Sequence, residues 1–121
     1  MFDLIIKNGA CFIDSTLTTQ DVAIKDGKIV KIGKINSETK DIFNAEGLTV
    51  LPGCIDTQTH FRQPGSTDTE DLHSGSKAAI VGGITSVFEM PNTNPPTSTK
   101  TEFQRKLDLA KNRMYCNYAF Y

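Results

Sequence analysis

Little in this 121-residue sequence favours a secreted, membrane-bound or nucleic-acid-binding protein. It has only three cysteines, and Cys11, Cys54 and Cys116 are an odd, widely spaced set that excludes a complete disulfide framework. No apolar run approaches the roughly 18 residues of a membrane span, and the start, with an acid at Asp3 and no basic region, is a poor signal peptide. The formal net charge is -1 without any basic block, so nucleic acid is not the expected partner. We therefore expect a cytoplasmic protein whose cysteines are reduced and mostly buried.

The first half of the chain alternates apolar and polar residues between turn residues, which is typical of β-structure. The alternating segments are residues 3–7, 22–25, 28–32, 41–45 and 48–51, with turns at Asn8-Gly9, Asp26-Gly27 and Glu46-Gly47. Asp26-Gly27 is a strong hairpin signal because both turn positions need positive φ, and Glu46-Gly47 predicts a second, looser hairpin. Residues 1–51 are therefore predicted to form a small antiparallel β module.

The second half alternates strands with helices, which predicts a parallel sheet and an α/β fold class. The predicted order is strand 54–61, helix 68–81, strand 84–90, loop 91–97, a helix from Thr99, and strand 115–121. Asp68 or Thr69 is the expected N-cap of the first helix, and Gly82-Gly83 ends it. Thr99-x-x-Glu102 is a capping box that opens the second. The expected apolar stripes are Leu72, Gly75, Ser76, Ala79 and Ile80 on the first helix, and Phe103, Leu107, Ala110 and Met114 on the second.

The balance of helices and strands suggests an incomplete domain. A parallel sheet needs cover on both faces, yet only two helices serve three strands and the last strand ends the sequence. We expect residues 52–121 to be the truncated opening of a larger α/β domain, with an exposed apolar strand edge. A complete small α/β protein is the alternative.

Polar residues alternate along the predicted strand 54–61, which is where chemistry is expected. Asp56, Gln58 and His60 project to one face of the strand because successive side chains point to opposite sides. Arg62 extends this row into the following loop. Such a polar row inside a barrel strand is costly unless something binds it, and the carboxyl ends of barrel strands are where active sites are built.

Several motifs resemble the amidohydrolase superfamily. Residues 52–60 (PGCIDTQTH) resemble its metal-binding strand, which usually reads P-G-x-I-D-x-H-x-H, and the continuation HFRQPG resembles the dihydroorotase branch. Residues 78–86 resemble its first barrel helix and second strand, and residues 89–97 (EMPNTNPPT) resemble the dihydroorotase M-P-N-T-x-P loop. The β-rich start resembles the strands of its N-terminal sandwich. The similarity covers nearly the whole chain, which corresponds to about the first third of a family member.

The resemblance implies a fold and an activity. It implies part of a small β-sandwich over residues 1–51 and the start of a TIM-type (β/α)8 barrel over residues 52–121. The implied enzyme is a dihydroorotase, which interconverts N-carbamoyl-L-aspartate and dihydroorotate in pyrimidine biosynthesis with one or two zinc ions. Allantoinase and hydantoinase are rival cyclic amidohydrolases. The implied assembly is a homo-oligomer or a complex with aspartate carbamoyltransferase.

The resemblance also implies site residues. His60 is a metal ligand, and Arg62 and Asn92 bind the substrate carboxylate, a role that suits the planar guanidinium. Gln58 replaces the first histidine of H-x-H, and a neutral amide is a far weaker zinc ligand than imidazole. This departure favours a second hypothesis, a non-catalytic homologue that binds the transcarbamoylase. No catalytic residue is expected within these 121 residues, so we expect the chain alone to be inactive and without bound zinc.

Each of these residues also has a purely structural interpretation. His60 could be a packed histidine, Arg62 a surface ion-pair residue, Asn92 a turn former and Gln58 structural filler. Asp56 is expected to bond backbone rather than act in catalysis. His73, off the apolar face of its helix, is expected to be solvated.

Overall fold

The computed structural model describes all residues from Met1 to Tyr121. The chain divides into two compact units, Met1–Pro52 and Gly53–Tyr121. The elements are β1 (Phe2–Ile13), β2 (Thr16–Lys25), β3 (Lys28–Gly33), β4 (Thr39–Asn44), β5 (Thr49–Val50), β6 (Cys54–Thr59), α1 (Leu72–Val81), β7 (Ile84–Glu89), α2 (Lys100–Ala110) and β8 (Asn117–Phe120). Neither helix is long and apolar enough to cross a membrane.

The N-terminal unit is a five-stranded sheet built around β1, in the order β3-β2-β1-β4 with β5 also on β1. The predicted Asp26-Gly27 hairpin is confirmed, since it joins antiparallel β2 and β3. Both turn residues have positive φ, 50° at Asp26 and 70° at Gly27. The hairpin therefore follows directly from local turn chemistry.

The second predicted hairpin and the purely antiparallel module are wrong. β4 and β5 do not pair with each other; both pair with β1, and both do so in parallel. The reason is the length of β1, whose 12 residues offer an edge long enough for both strands. The expected turn at Asn8-Gly9 is instead an irregularity within β1, where the β2 register shifts and Asn8 has φ 61°.

The interior of the N-terminal unit combines an apolar cluster with a buried acid. Ile5, Ala23 and Ile35 form the apolar cluster. Asp21 is 7% exposed and accepts hydrogen bonds from the Asn8 and Ile35 backbone N–H groups, both at 3.0 Å. Asp21 also forms an ion pair with Lys7 at 3.0 Å. The buried negative charge is therefore compensated by two hydrogen bonds and one positive charge.

The second unit is the predicted parallel sheet, in the order β6-β7-β8. The predicted N-cap of α1 is wrong by two or three residues. Asp71 is the N-cap, and its carboxylate accepts from the Ser74 backbone N–H at 2.7 Å in a capping box. Asp68 and Thr69 lie before the helix because the turn of residues 66–70 is closed by bonds to the Ser66 carbonyl. The end of α1 at Gly82 and the N-cap of α2 at Thr99 are confirmed. Only half of the predicted capping box forms, because the Thr99 side chain accepts from the Glu102 backbone N–H while the Glu102 side chain does not bond back.

A single apolar cluster packs the helices on this sheet, formed by Phe61, Leu72, Val87, Ala110 and Cys116. Gly75 allows α1 to approach closely, because a Cβ there would lie 2.4 Å from Cδ1 of Phe61. The predicted stripes hold in part: Leu72, Gly75, Ser76 and Ala110 are buried, whereas Ile80 and Phe103 are exposed. Ile55, Phe88 and Tyr118 are exposed and line one apolar groove across the three strands. The predicted exposure of an apolar strand edge stays a prediction.

Candidate functional site

Two predicted site residues meet at the carboxyl ends of neighbouring parallel strands. His60 directly follows β6, and Asn92 lies in the loop after β7. His60 Nδ1 and Asn92 Oδ1 are 2.9 Å apart. An amide oxygen can only accept, so this bond requires a proton on Nδ1, and in the neutral ring the lone pair then lies on Nε2. Metal-binding histidines are commonly oriented by such a bond from the other ring nitrogen.

Gln58 does not join this pair. It is exposed, and its side chain forms no hydrogen bond with His60 or Asn92. Its backbone N–H donates to Oδ1 of Asp56 at 2.9 Å, so Asp56 bonds backbone, as expected. Thr59 is buried, but Ile55 and Thr57 are exposed, and the register with β7 shifts between Asp56 and Thr59. The single polar face predicted for Asp56, Gln58 and His60 therefore stays a prediction.

Arg62 is exposed and its backbone is strained. Its φ of 60° lies in the left-handed region, where a non-glycine residue costs about 1 kcal/mol or more. The neighbouring residue holds the loop: Gln63 Oε1 accepts from the Leu72 backbone N–H at 3.1 Å and from Arg113 Nη1 at 3.2 Å. Arg113 Nη2 also bonds Asp71 Oδ2 at 2.8 Å. The loop carrying Arg62 is thus tied to the start of α1 and to the residues following α2.

The loops after β6 and β7 touch each other. The backbone N–H of Asn94 donates to the Pro64 carbonyl at 2.9 Å. Gly65, with φ 126°, lies against Asn94, where a Cβ would come within 3.1 Å of the backbone nitrogen. Glycine is needed here for both its conformation and its lack of a side chain. The two loops therefore form one continuous rim.

A buried ion pair lies beneath this rim. Glu89, the last residue of β7, pairs with Lys106 of α2, and both side chains are at most 1% exposed. Lys106 Nζ also donates to the Met90 carbonyl at 2.9 Å and lies 5.1 Å from the centroid of the Phe120 ring. Burial raises the pKa of Glu89, although the ammonium of Lys106 opposes that shift. By contrast, hydrogen bonds from the Ser74 backbone N–H and hydroxyl lower the pKa of Asp71.

The residues of this chain do not make a zinc site by themselves. No group of three or more His, Cys, Asp or Glu side chains is arranged to hold a metal ion. A catalytic zinc needs three protein ligands, and only His60 offers an oriented imidazole at the rim. The other histidine, His73, is exposed on α1 and packs edge-on against Tyr115, 5.0 Å between ring centroids.

Sequence patterns singled out neither partner of the buried ion pair. Lys106 falls three residues after Phe103 and four before Ala110, on the helix face predicted to be apolar. Glu89 is two residues after the buried Val87 and so points to the same side of the strand. The sequence did contain a signal for this pair, since each residue places a charge on the apolar face of its strand or helix. A charge at such a position needs a partner of opposite charge.

Comparison with known proteins identifies relatives for the whole chain. The model of a family described as "Amidohydrolase family" matches residues 49–121. Allantoinases of Escherichia coli are 42% identical over 114 residues, which cover 93% of this chain and 25% of those proteins. This chain therefore spans about a quarter of the length of the curated relatives it matches.

Solved structures of hydantoinases also match this chain over nearly its whole length. An L-hydantoinase (dihydropyrimidinase) from Arthrobacter aurescens is 34% identical with a TM-score of 0.88, over 100% of this chain and 28% of that one. A D-hydantoinase (dihydropyrimidinase) from a Thermus species is 29% identical with a TM-score of 0.77, over 98% of this chain and 27% of that one.

Proposed function

We propose, from the premise that this chain belongs to the amidohydrolase family, that it supplies the first strands and one rim segment of an enzyme that hydrolyses cyclic amides. The observation that carries the proposal is the 2.9 Å bond between His60 and Asn92 at the ends of adjacent parallel strands. In this proposal β6, β7 and β8 are barrel strands, and their carboxyl ends form part of the active-site mouth.

The preferred substrate is allantoin, and the wider class is the cyclic ureides. The relatives named allantoinase are 42% identical, against 34% for the hydantoinase structure. Dihydroorotate stays a prediction that rests on the Met90-Pro91-Asn92-Thr93 motif. Allantoin carries a ureido group and dihydroorotate a carboxylate on the ring, and the exposed guanidinium of Arg62 can bind either one.

His60 is proposed as one ligand of a zinc ion, through Nε2. When bound, such an ion polarises the carbonyl and makes hydroxide available near neutral pH. Asn92 is proposed to hold the His60 ring through its side-chain oxygen. The role of Asn92 in binding the substrate stays a prediction. The homo-oligomer and the complex with aspartate carbamoyltransferase stay predictions.

A chimaera tests the proposal. This chain replaces the aligned segment of Escherichia coli allantoinase, and zinc-supplied ring opening is followed for allantoin, hydantoin and dihydroorotate. We expect activity on allantoin, loss of activity in His60→Ala, and no change in the matched control His73→Ala. Arg62→Lys should raise KM by roughly 10- to 100-fold, the scale of a hydrogen bond to a charged group.

Gln58 decides between the enzyme and the non-catalytic alternative. Activity of the chimaera with Gln58 in place supports the enzyme. Activity only after Gln58→His favours the non-catalytic homologue. A chimaera that unfolds cooperatively but is inactive in both forms contradicts a hydrolase role for this segment.

A further inference from the structure

The Glu89–Lys106 ion pair is unusual because both charges are buried within an apolar layer, where their desolvation is unfavourable. Both side chains lie within the layer between the sheet and α2, at most 1% exposed. Removing two charges from water is strongly unfavourable, and apolar residues of similar volume often give equal or greater stability. A function for the pair is therefore worth seeking beyond its contribution to the fold.

Lys106 connects the pair to the rim. Its ammonium donates to the carbonyl of Met90, the first residue after β7. The Met90 backbone N–H in turn donates to the Thr59 carbonyl at 3.0 Å, immediately before His60. Lys106 thus bonds the carbonyl of Met90, the residue whose backbone N–H joins the ends of β6 and β7.

Two residues beyond Met90 lies Asn92, which holds the His60 ring. The loop that carries Asn92 has its own hydrogen bonds, since the Pro91 carbonyl accepts from the backbone N–H groups of Thr93 and Thr97, both at 2.9 Å. The loop is therefore held together by its own hydrogen bonds, and Lys106 bonds the end at which it leaves β7. A change at Lys106 should move Asn92 with the loop.

We propose that Glu89 and Lys106 are positioning residues that hold the Asn92 loop so that His60 keeps its proton on Nδ1 and presents Nε2 at the rim. Glu89 orients the ammonium, and the ammonium fixes the Met90 carbonyl. The significance of this arrangement for catalysis rests on the proposed hydrolase function. The arrangement itself can be tested without metal or substrate.

The test compares variants of this chain by the ¹⁵N resonances of its histidines at pH 8, which distinguish a proton on Nδ1 from one on Nε2. There are only two histidines, so His73 serves as an internal reference. The parent should show His60 protonated on Nδ1. Glu89→Leu/Lys106→Met removes both charges without leaving either one unpaired, and it should keep the unfolding equilibrium constant within roughly tenfold of the parent.

In that double variant we expect His60 to lose its Nδ1–H preference, and the amides of residues 92–94 to exchange at least about tenfold faster. The control Lys100→Met removes an exposed lysine of the same helix and should change neither signal. Unchanged His60 resonances and unchanged exchange in the double variant would overturn the proposal.

The single variant Lys106→Met gives a second check. It leaves Glu89 buried without its partner, so the unfolding equilibrium constant should rise by roughly 100-fold or more. A rise of less than about fivefold would show that the pair is not maintained in solution and would also overturn the proposal. Neither readout involves hydrolysis, so an inactive chimaera and an incorrect positioning role give different results.

Discussion

Gly75 provides the sharpest test of how α1 packs on the sheet. Replacing a helical glycine by alanine normally stabilises a protein by about 1 kcal/mol through helix propensity. Here the new Cβ would lie 2.4 Å from Cδ1 and 2.8 Å from Cγ and Cε1 of Phe61. Carbon atoms in contact lie about 3.5–4.0 Å apart, so the ring would have to move by about 1 Å. Phe61 is only 6% exposed and packs with Leu72 and Val87, so it has little room.

Overpacking of this kind costs about 1–3 kcal/mol, and the severity of the overlap favours the upper part of that range. After the propensity gain, Gly75→Ala should lower the free energy of unfolding by about 1–2 kcal/mol. Urea unfolding followed by far-UV circular dichroism measures this, since the chain has no tryptophan. Gly82→Ala is the matched control: φ is −82° and the nearest atoms lie at 3.5 Å, so stability should be unchanged or slightly higher. A Gly75→Ala variant as stable as the parent would refute the close approach.

Two further predictions concern charged residues outside the rim. Burial raises the pKa of Asp21, but hydrogen bonds from Ile35, Asn8 and Lys7 outweigh this effect and leave the pKa below the ordinary value of 3.8. The ionised Asp21 side chain therefore stabilises the fold above about pH 3.8, and this stabilisation is lost as the pH falls through the lower pKa of the folded state. Asp21→Asn should flatten the dependence of the urea midpoint on pH between 2 and 4, and an unaltered slope would contradict this. Arg113→Met should cost about 0.5–1 kcal/mol, because its ion pair is about one-third exposed, whereas the exposed Lys111→Met should leave the same unfolding midpoint unchanged.

Sequence patterns predicted an element well where residues close together in the sequence determine its structure, as in turns and helix caps. Asp26-Gly27 identified its hairpin because positive φ at two adjacent residues permits few alternatives. The cap at Thr99 was equally clear, since its side chain accepts from the Glu102 backbone N–H at 3.2 Å. The α1 cap was misplaced because Asp68, Thr69 and Asp71 are all acceptable N-caps by residue type, and the ion pair of Asp71 with Arg113 is a long-range contact that local sequence does not reveal.

The partners of strands and of charges could not be predicted in this way. Nothing in residues 39–50 indicates that they pair with β1, because pairing depends on which edge is free in the assembled sheet. The site was predicted in part: His60 and Asn92 meet, and Arg62 is exposed on the same loop system. Lys106 was missed because its role comes from contacts with Glu89 and Met90, 16 or more residues away in sequence, which no periodicity records.

The mixed pairing around β1 also has a consequence for the order of folding. β1, β2 and β3 are joined by tight turns, so their pairing closes only short loops and can proceed quickly. β4 must return to the far edge of β1, and each parallel pair among β6, β7 and β8 must wait for an intervening helix to form. Non-local parallel pairing is intrinsically slow. During synthesis the β1–β3 meander should therefore be complete first, and it would serve as the template on which β4 and β5 assemble.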